Sequence, residues 1–340
     1  MFRRFDHDYS KGIGPAFFQV DEAAKYGISG TVECLAHDAI HSLLAAATSS
    51  KIVYIFGQTG VQTEIQLECR TIKAMRFWSD SLVVLDADGL LTQLSIVTRA
   101  VVARHSFPGR LLAMELDPSL DWLFLGMTNG EVVIWDLQRR CVAPFRIPCL
   151  LPAELMRGRG RRISPVLSLQ LHPRDIGVIL VGYAEAAAVY SFKSNDLTAI
   201  LALEIPPGAP GSTPAPDLVN TVRRPALITA IWHPGGYHVL TAHDDGYLGF
   251  WAPADSKLLQ VRTVEEANVH IPIRSRPAGS HTSSVRDPFR CVAWNSTKNP
   301  DDTSIFIAGG LEMQSGAKIN MFLSWTTDRH RQLPLLLMRT

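Results

Sequence analysis

The sequence has few charged residues and no strong excess of one sign. Asp, Glu, Lys and Arg make up 19% of the 340 residues, hydrophobic residues make up 46%, and the formal net charge is +1. A chain this poor in charge can bury a sizeable core, which excludes a disordered chain. The near-neutral balance produces no overall field that would attract nucleic acid, so we expect no nucleic-acid partner.

Cysteines and long apolar runs are also scarce. No apolar run approaches the roughly 18 residues that a membrane-spanning helix needs, and the first eight residues, MFRRFDHD, lack the apolar core of a signal peptide. These absences predict a cytoplasmic protein. The cysteines are odd in number and show no Cys-x-x-Cys spacing, so we interpret them as buried packing thiols in a reducing compartment. They are Cys34, Cys69, Cys141, Cys149 and Cys291.

The motifs of common enzymes are missing as well. The sequence has neither a Gly-x-Ser-x-Gly nucleophile motif nor a glycine-rich phosphate-binding loop ending in Gly-Lys-Ser/Thr. His37-Asp38 and His243-Asp244 are candidate catalytic or metal-binding pairs, but each lies in a turn where both side chains can bond to nearby backbone. No third group is visible beside either pair. We therefore predict a non-enzymatic protein without a cofactor or metal.

What the sequence does contain is a repeated pattern of apolar runs and turns. In residues 111–136, LLAMELDPSLDWLFLGMTNGEVVIWD, three apolar runs are separated by Asp117-Pro118 and by Asn129-Gly130. Short apolar runs bounded by such residues are typical of antiparallel strands joined by hairpins. A three-stranded meander cannot bury both of its faces alone, so it needs copies of itself to pack against.

Five further segments carry the same order of signals. The nearest match is residues 228–251, in which His233-Pro234 and Asp245-Gly246 separate the runs, and His172-Pro173 takes the place of His233-Pro234 one repeat earlier. A residue type that recurs at the same position of successive repeats typically helps to determine the fold. A metal site instead needs different ligands that converge on one point. Recurring tryptophans at strand positions are expected in the core: Trp135, Trp232 and Trp251.

The spacing of the repeats indicates the architecture. Asp88-Gly89 and Asn129-Gly130 lie 41 residues apart, which is the period of WD-type propeller blades, and Trp135-Asp136 is a literal WD dipeptide. A β-sandwich would not repeat one turn pattern six times. We predict an all-β, WD40-type β-propeller over residues 23–325, with blades near 29–66, 70–106, 109–148, 164–206, 226–269 and 289–325.

Several of these segments resemble the lethal giant larvae and tomosyn family, particularly its fungal members. The resembling residues include Tyr26-Gly27-Ile28 and Ile55-Phe56-Gly57, and the most specific are SPVLSLQLHPRDIGVILVGY at 164–183 and WHPGGYHVLTAHDDGYLGFW at 232–251. The resemblance implies a large protein with two successive propellers, of which this chain supplies about six blades of a seven-bladed first ring. We interpret residues 1–22 as a lead-in and residues 326–340 as an atypical C-terminal tail.

The resemblance also implies a function. Members of this family regulate polarised exocytosis and vesicle fusion by binding plasma-membrane SNARE proteins of the syntaxin and SNAP-25 classes. They also engage Rab-type GTPases and myosin II, and some act as GTPase regulators. We therefore expect an interaction scaffold in the cytoplasm with peripheral association at the plasma membrane. The alternative is a generic WD-repeat scaffold of another trafficking complex or of a ubiquitin ligase.

Arginines cluster in the connection between the third and fourth predicted blades. The cluster is a candidate contact for an acidic partner or for phospholipid, and Ser164, which follows Arg161-Arg162, is a candidate phosphoacceptor. The alternative is a solvated loop between blades, where such runs commonly occur. The candidate contact residues are Arg157, Arg159, Arg161 and Arg162.

Overall fold

A computed structural model describes residues 27–57, 62–157, 163–205, 222, 224–263, 289–299, 302–309 and 320–326. These residues form five four-stranded antiparallel sheets and one three-stranded sheet, in which each strand pairs with its neighbour along the chain. We number the sheets 1 to 6. This arrangement of successive meanders confirms the predicted fold class, the WD40-type propeller fold.

Sheets 1 and 2 contain the first eight strands, which are β1 (Val32–Asp38), β2 (Leu43–Thr48), β3 (Ile52–Phe56), β4 (Gln62–Gln66), β5 (Ile72–Trp78), β6 (Ser81–Asp86), β7 (Leu90–Ser95) and β8 (Val101–Ser106). Sheets 3 and 4 contain β9 (Leu111–Leu116), β10 (Trp122–Met127), β11 (Val132–Asp136), β12 (Cys141–Ile147), β13 (Val166–Leu171), β14 (Val178–Tyr183), β15 (Ala187–Ser191) and β16 (Asp196–Leu201). Sheets 5 and 6 contain β17 (Leu227–Trp232), β18 (Val239–His243), β19 (Tyr247–Ala252), β20 (Lys257–Thr263), β21 (Cys291–Ser296), β22 (Asp302–Ala308) and β23 (Asn320–Thr326). A short helix α1 (Ala153–Arg157) and a 3-10 turn (Pro253–Asp255) complete the described elements.

The hairpin between the second and third strands uses one turn geometry in several sheets. Gly89, Gly130 and Gly246 have φ angles of 82°, 86° and 84° at the same place in sheets 2, 3 and 5. Glycine takes this left-handed conformation without steric cost. The predicted equivalence of the Asp-Gly and Asn-Gly turns is therefore confirmed. In sheet 1 the same position is held by Lys51, with φ 63°.

The core lies between neighbouring sheets. Phe124 of sheet 3 and Tyr183 of sheet 4, exposed by 2% and 0%, belong to one apolar cluster that joins these two sheets. The first strands of successive sheets pack beside one another, which places them on the inner side of the array and the fourth strands on the outer side. Each sheet consequently depends on its neighbours for burial.

Polar side chains connect the inner strands of adjacent sheets. The Arg76 guanidinium lies 3.2 Å from the Glu115 carboxylate of sheet 3, and the Gln170 Oε1 accepts a hydrogen bond from the Trp232 backbone N–H of sheet 5 at 2.6 Å. Burial raises the pKa of Glu115, while Arg76 and the backbone N–H of Leu171 oppose that rise. These contacts fix one sheet against the next, because a buried polar group without a partner is costly.

The antiparallel order divides the hairpins between two ends of the array. The ends of the described strands that face the 1–2 hairpins, and the 3–4 hairpins of sheets 1 to 5, lie at one end, here called end A, whereas the ends that face the 2–3 hairpins and the next sheet lie at the other, end B. Backbone bonds at end A join the two hairpins of a sheet, as in Ile96 N–H to Asp80 O, 2.9 Å, and Leu137 N–H to Asp121 O, 2.9 Å. The two hairpins of sheets 2 and 3 are thus joined to one another at end A.

Two details of the sequence-based prediction need correction. Cys141 and Cys291 are exposed at the first residues of β12 and β21, so the interpretation of all five cysteines as buried packing thiols was wrong. The meanders also have a fourth strand in sheets 1 to 5. These outer strands are half-exposed, as in the Cys141–Ile147 strand, and therefore lack the continuous apolar run that marks the inner three.

Candidate interaction surfaces

The predicted arginine cluster lies in the connection from β12 to β13, which belongs to end B. Helix α1 ends at Arg157, and Arg159, Arg161 and Arg162 lie outside the described residues. The contact of these four arginines with an acidic partner or phospholipid therefore stays a prediction.

The start of this connection is firmly attached to sheet 4. The Leu150 N–H donates to the Tyr183 hydroxyl at 3.2 Å, and that hydroxyl donates to the Gly130 carbonyl at 3.2 Å. Burial raises the pKa of Tyr183, so the phenol remains a neutral donor. The connection consequently leaves the sheets from a fixed point.

Ser164 ends the same connection in a buried position. Its side chain is 0% exposed and its Oγ donates a hydrogen bond to the Glu185 carboxylate. The role visible here is structural, because the bond joins the connection to the 2–3 hairpin of sheet 4. A kinase requires an accessible hydroxyl, so phosphorylation of Ser164, which stays a prediction, would first require this contact to open.

The His-Asp pairs have structural roles. The Thr241 Oγ1 accepts the Trp251 indole N–H at 2.8 Å and lies 3.0 Å from His243 Nε2, so three buried side chains form one network. Asp244 accepts the Ala226 backbone N–H at 2.9 Å. In sheet 1 the Asp38 carboxylate accepts the Ile40 backbone N–H at 2.8 Å, as expected for an aspartate that stabilises a turn.

The two His-Pro turns are equivalent in three dimensions. His172 contacts Trp232 of sheet 5 edge-on, with ring centroids 4.6 Å apart, and His233 contacts Trp294 of sheet 6 in the same way at 4.8 Å. The His172 Nε2 also lies 3.0 Å from the Gly236 carbonyl. Each histidine therefore joins its own sheet to the next, which explains why the motif repeats with the sheets.

The segments that the structure describes contain neither a metal-binding cluster nor a membrane-spanning helix. No group of three or more His, Cys, Asp or Glu side chains in these segments is placed to hold a metal ion. None of the helices described is long and apolar enough to cross a bilayer.

A second basic surface, which sequence reasoning missed, lies at end A. Exposed cations occupy the 3–4 hairpins of sheets 2, 3 and 4, within residues 96–100, 137–140 and 192–195, and these hairpins contain no acidic residue. The sequence signal for this surface is a basic residue in each of three equivalent turns. The turns can be recognised as equivalent only after the outer strands are placed. We call these residues the basic arc: Arg99, Arg139, Arg140 and Lys193.

Exposed apolar side chains lie next to the basic arc. Val97, in the same hairpin as Arg99, is 75% exposed, and Trp122, which pairs with Asp136 at the edge of the sheet 3 hairpin, is 51% exposed. Large apolar side chains that are exposed beside a charged rim are typical of protein-binding surfaces. End A can therefore supply both apolar anchors and cations to a partner.

Comparison with known proteins places these sheets in a family. No family model matches the chain. The chain is 32% identical over 311 residues to the Saccharomyces cerevisiae lethal(2) giant larvae protein homolog SRO77, which covers 89% of this chain and 30% of the yeast protein. An uncharacterized Schizosaccharomyces pombe protein is 29% identical over 325 residues, covering 90% of this chain and 32% of that protein.

The similarity extends to animals. The rat lethal(2) giant larvae protein homolog 1 is 23% identical over 325 residues, which cover 86% of this chain and 28% of the rat protein. The chain thus spans about a third or less of the length of the curated relatives it matches. The matches cover 86% to 90% of the chain. The chain belongs to the lethal giant larvae and tomosyn family.

Proposed function

We propose that this chain is a non-enzymatic protein-interaction scaffold in membrane trafficking and cell polarity. The observation that carries the proposal is its similarity, along almost the whole chain, to proteins named as lethal giant larvae homologues. A rigid array of sheets suits this role, because it holds many hairpins and connections at fixed positions for partners.

The finer part of the proposal concerns the partners. We infer binding to SNARE proteins of the syntaxin and SNAP-25 classes at the plasma membrane, with Rab-type GTPases and myosin II as further partners. Binding of this kind regulates polarised exocytosis and vesicle fusion. The structural support is general: exposed apolar and charged side chains border one another at end A, which is the composition that helical or extended segments bind.

Pull-down with purified proteins tests this proposal. The cytosolic segments of a syntaxin-class and a SNAP-25-class protein are immobilised separately, and the 340-residue chain is added at low micromolar concentration. We expect retention by at least one of them that survives washing at physiological salt. Retention no greater than on a plasma-membrane protein of similar charge that is not a SNARE would contradict the proposal.

A further inference from the structure

Two arginines of the basic arc occupy unfavourable backbone positions. Arg99 and Arg140 have φ angles of 57° and 56°, and Asn195 holds the equivalent position of sheet 4 with φ 54°. Asparagine adopts this left-handed conformation far more readily than a long side chain does. Hairpin stability therefore gives no reason for arginine here, whereas a contact with a partner does.

The charges of Arg99 and Arg140 are not used inside the fold. Neither guanidinium pairs with a carboxylate among the residues that the structure describes. Arg139 lies 3.8 Å from the buried Asp136 carboxylate, but its own side chain is 82% exposed, so this pair contributes little. Asp196, at the start of β16, already accepts the Leu197 backbone N–H at 2.7 Å. The basic arc is consequently available to an anionic partner.

The distribution of charge across end A decides what kind of partner fits. The 1–2 hairpins of sheets 2 to 4 lie on the inner side and carry four aspartates against one arginine, namely Asp80, Asp117, Asp121, Asp175 and Arg174. The outer 3–4 hairpins of the same sheets carry the four cations of the basic arc. Positive charge therefore follows the outer rim, and negative charge follows the inner rim.

A flat anionic membrane would face both rims at once. Such a surface would attract the cations and repel the inner aspartates, and over the hairpins of sheets 2 to 4 the five cations exceed the four aspartates by only one charge. A narrow segment of polypeptide can instead follow the outer rim and contact only the cations. The charge distribution favours an acidic segment over a bilayer.

We propose that the basic arc, with Val97 and Trp122, binds an acidic, amphipathic segment of a partner protein along the outer rim of sheets 2 to 4. The acidic side chains of that segment pair with Arg99, Arg139, Arg140 and Lys193, and its apolar side chains cover Val97 and Trp122. The inference deepens the scaffold function proposed above by naming a surface and the chemistry of its partner. It assigns this role to end A, whereas the predicted arginine cluster begins at Arg157, the last residue of α1, in the segment between β12 and β13.

The test uses a double variant that removes charge without disturbing the hairpins. Arg99→Asn with Arg140→Asn places at both positions the residue that sheet 4 carries at Asn195. The matched control is Arg70→Asn with Arg110→Asn, which removes two exposed arginines from connections at end B. Thermal unfolding of both variants verifies that the fold is retained.

The probe is a synthetic, fluorescently labelled peptide that forms an amphipathic helix, with Glu on one face and Leu on the other. Fluorescence anisotropy measures its binding. We expect the unaltered chain to bind it with an affinity that falls as salt rises. The Arg99/Arg140 variant should bind about fivefold more weakly, because two exposed charge pairs with the peptide are lost, while the end B control should bind as the unaltered chain does.

Three results would overturn the proposal: no binding of the peptide by the unaltered chain, an equal loss in the end B control, or a preference of end A for anionic vesicles over the peptide. The SNARE pull-down separates this inference from the proposed function. If SNARE segments are retained equally by the unaltered chain and the Arg99/Arg140 variant, the function stands and SNARE segments bind outside the basic arc. If the peptide binds through the basic arc but no SNARE segment is retained, the surface stands and the partner class is wrong.

Discussion

Sheet 1 and the middle sheets of the array are built from the same meander, yet they bury their inner strands differently. Met75, Met114 and Leu169, on the first strands of sheets 2, 3 and 4, are exposed by 0%, 4% and 8% because each packs on the preceding sheet. Leu35, on the corresponding face of β1, is 58% exposed. One strand pattern therefore yields a core residue or a surface residue according to its neighbour.

Sheet 6 shows the same contrast on its second strand. Phe306 of β22 is 43% exposed, whereas Phe124 of β10, which faces the following sheet 4, is 2% exposed. Apolar alternation within a strand is local, but the burial that stabilises it comes from the next sheet. Stability should therefore be concentrated in the middle of the array.

Truncating the two phenylalanines tests this contrast most strongly. Phe124→Ala should lower the free energy of unfolding by about 3–5 kcal/mol, since it leaves a cavity between two sheets. Phe306→Ala should lower it by about 1 kcal/mol, because a side chain already this exposed loses less burial. Urea denaturation of both variants checks the difference. Equal losses would show that the two sheets are equally enclosed.

A methyl group added to a middle hairpin should have the next largest effect. In Gly130→Ala the new Cβ would lie 2.7 Å from the Ser164 backbone oxygen, at a position whose φ is 86°. Steric contact with backbone and the left-handed conformation together should cost about 2–3 kcal/mol. Thermal unfolding measures the loss, and Gly27→Ala, where no atom lies within 4 Å of the new Cβ, provides the comparison at the start of sheet 1. A smaller loss at Gly130 than at Gly27 would contradict the expectation.

These contrasts also explain how much of the fold could be predicted from the sequence. Asn129-Gly130 and Asp245-Gly246 predicted their hairpins correctly because the turn conformation is dictated by the two residues themselves. The contact of Gln170 with Trp232 joins residues 62 apart in the chain, and no local pattern specifies it. The outer strands were missed for a related reason: β12 is half-exposed and contains Pro144, which is tolerated at a sheet edge.

The candidate sites were harder to predict than the fold. The arginine connection stood out because its charges are contiguous in the sequence, whereas the cations of the basic arc are separated by about one repeat. Arg99 and Arg140 are recognised as equivalent hairpin residues at the same end only when the strands of sheets 2 and 3 are placed. Ser164 followed a basic run in the sequence, but only the packing of sheet 4 shows that its hydroxyl is enclosed with Glu185.

Acid should weaken the 1–2 turns of sheets 5 and 1 in different pH ranges. Burial lowers the pKa of His238 below its usual 6.5, so the folded state favours the neutral ring. Because the unfolded state then binds more protons, the stability contributed by neutral His238 is complete above pH 6.5 and is lost as the pH falls below that value.

The sheet 1 turn responds at lower pH. Burial by itself would raise the pKa of Asp38, but hydrogen bonds from His41 and from the Ile40 backbone N–H hold it below 3.8. Its contribution is therefore present above pH 3.8 and is lost as the pH falls further. The free energy of unfolding, measured against pH, should begin to fall below pH 6.5 in the unaltered chain. This decline should be absent from His238→Asn and present in His41→Asn. A decline that begins as the pH falls below 6.5 and survives His238→Asn would contradict this assignment.

The smallest expected effect is a gain in stability, and it comes from the one hairpin where sheet 1 departs from the turn pattern of the middle sheets. Lys51 occupies the position of Gly89, Gly130 and Gly246, with φ 63° and the same backbone bond, here from Lys51 N–H to Thr48 O at 2.9 Å. Lys51→Gly should raise the free energy of unfolding by about 0.5–1 kcal/mol, because relief of the left-handed strain exceeds the entropy that glycine adds to the unfolded chain.

The stability gained by Lys51→Gly should not depend on which residues pack against sheet 1. Backbone strain in a turn is local, whereas burial depends on the neighbouring sheet. The measurement is urea denaturation of Lys51→Gly beside Leu35→Ala, a substitution on the exposed face of the same sheet. Leu35→Ala should change the stability by less than about 1 kcal/mol, because much of that side chain is already in solvent. If Lys51→Gly destabilised the protein, the sheet 1 hairpin would be held by contacts of the lysine side chain, and the equivalence of the four turns would be limited to their backbone.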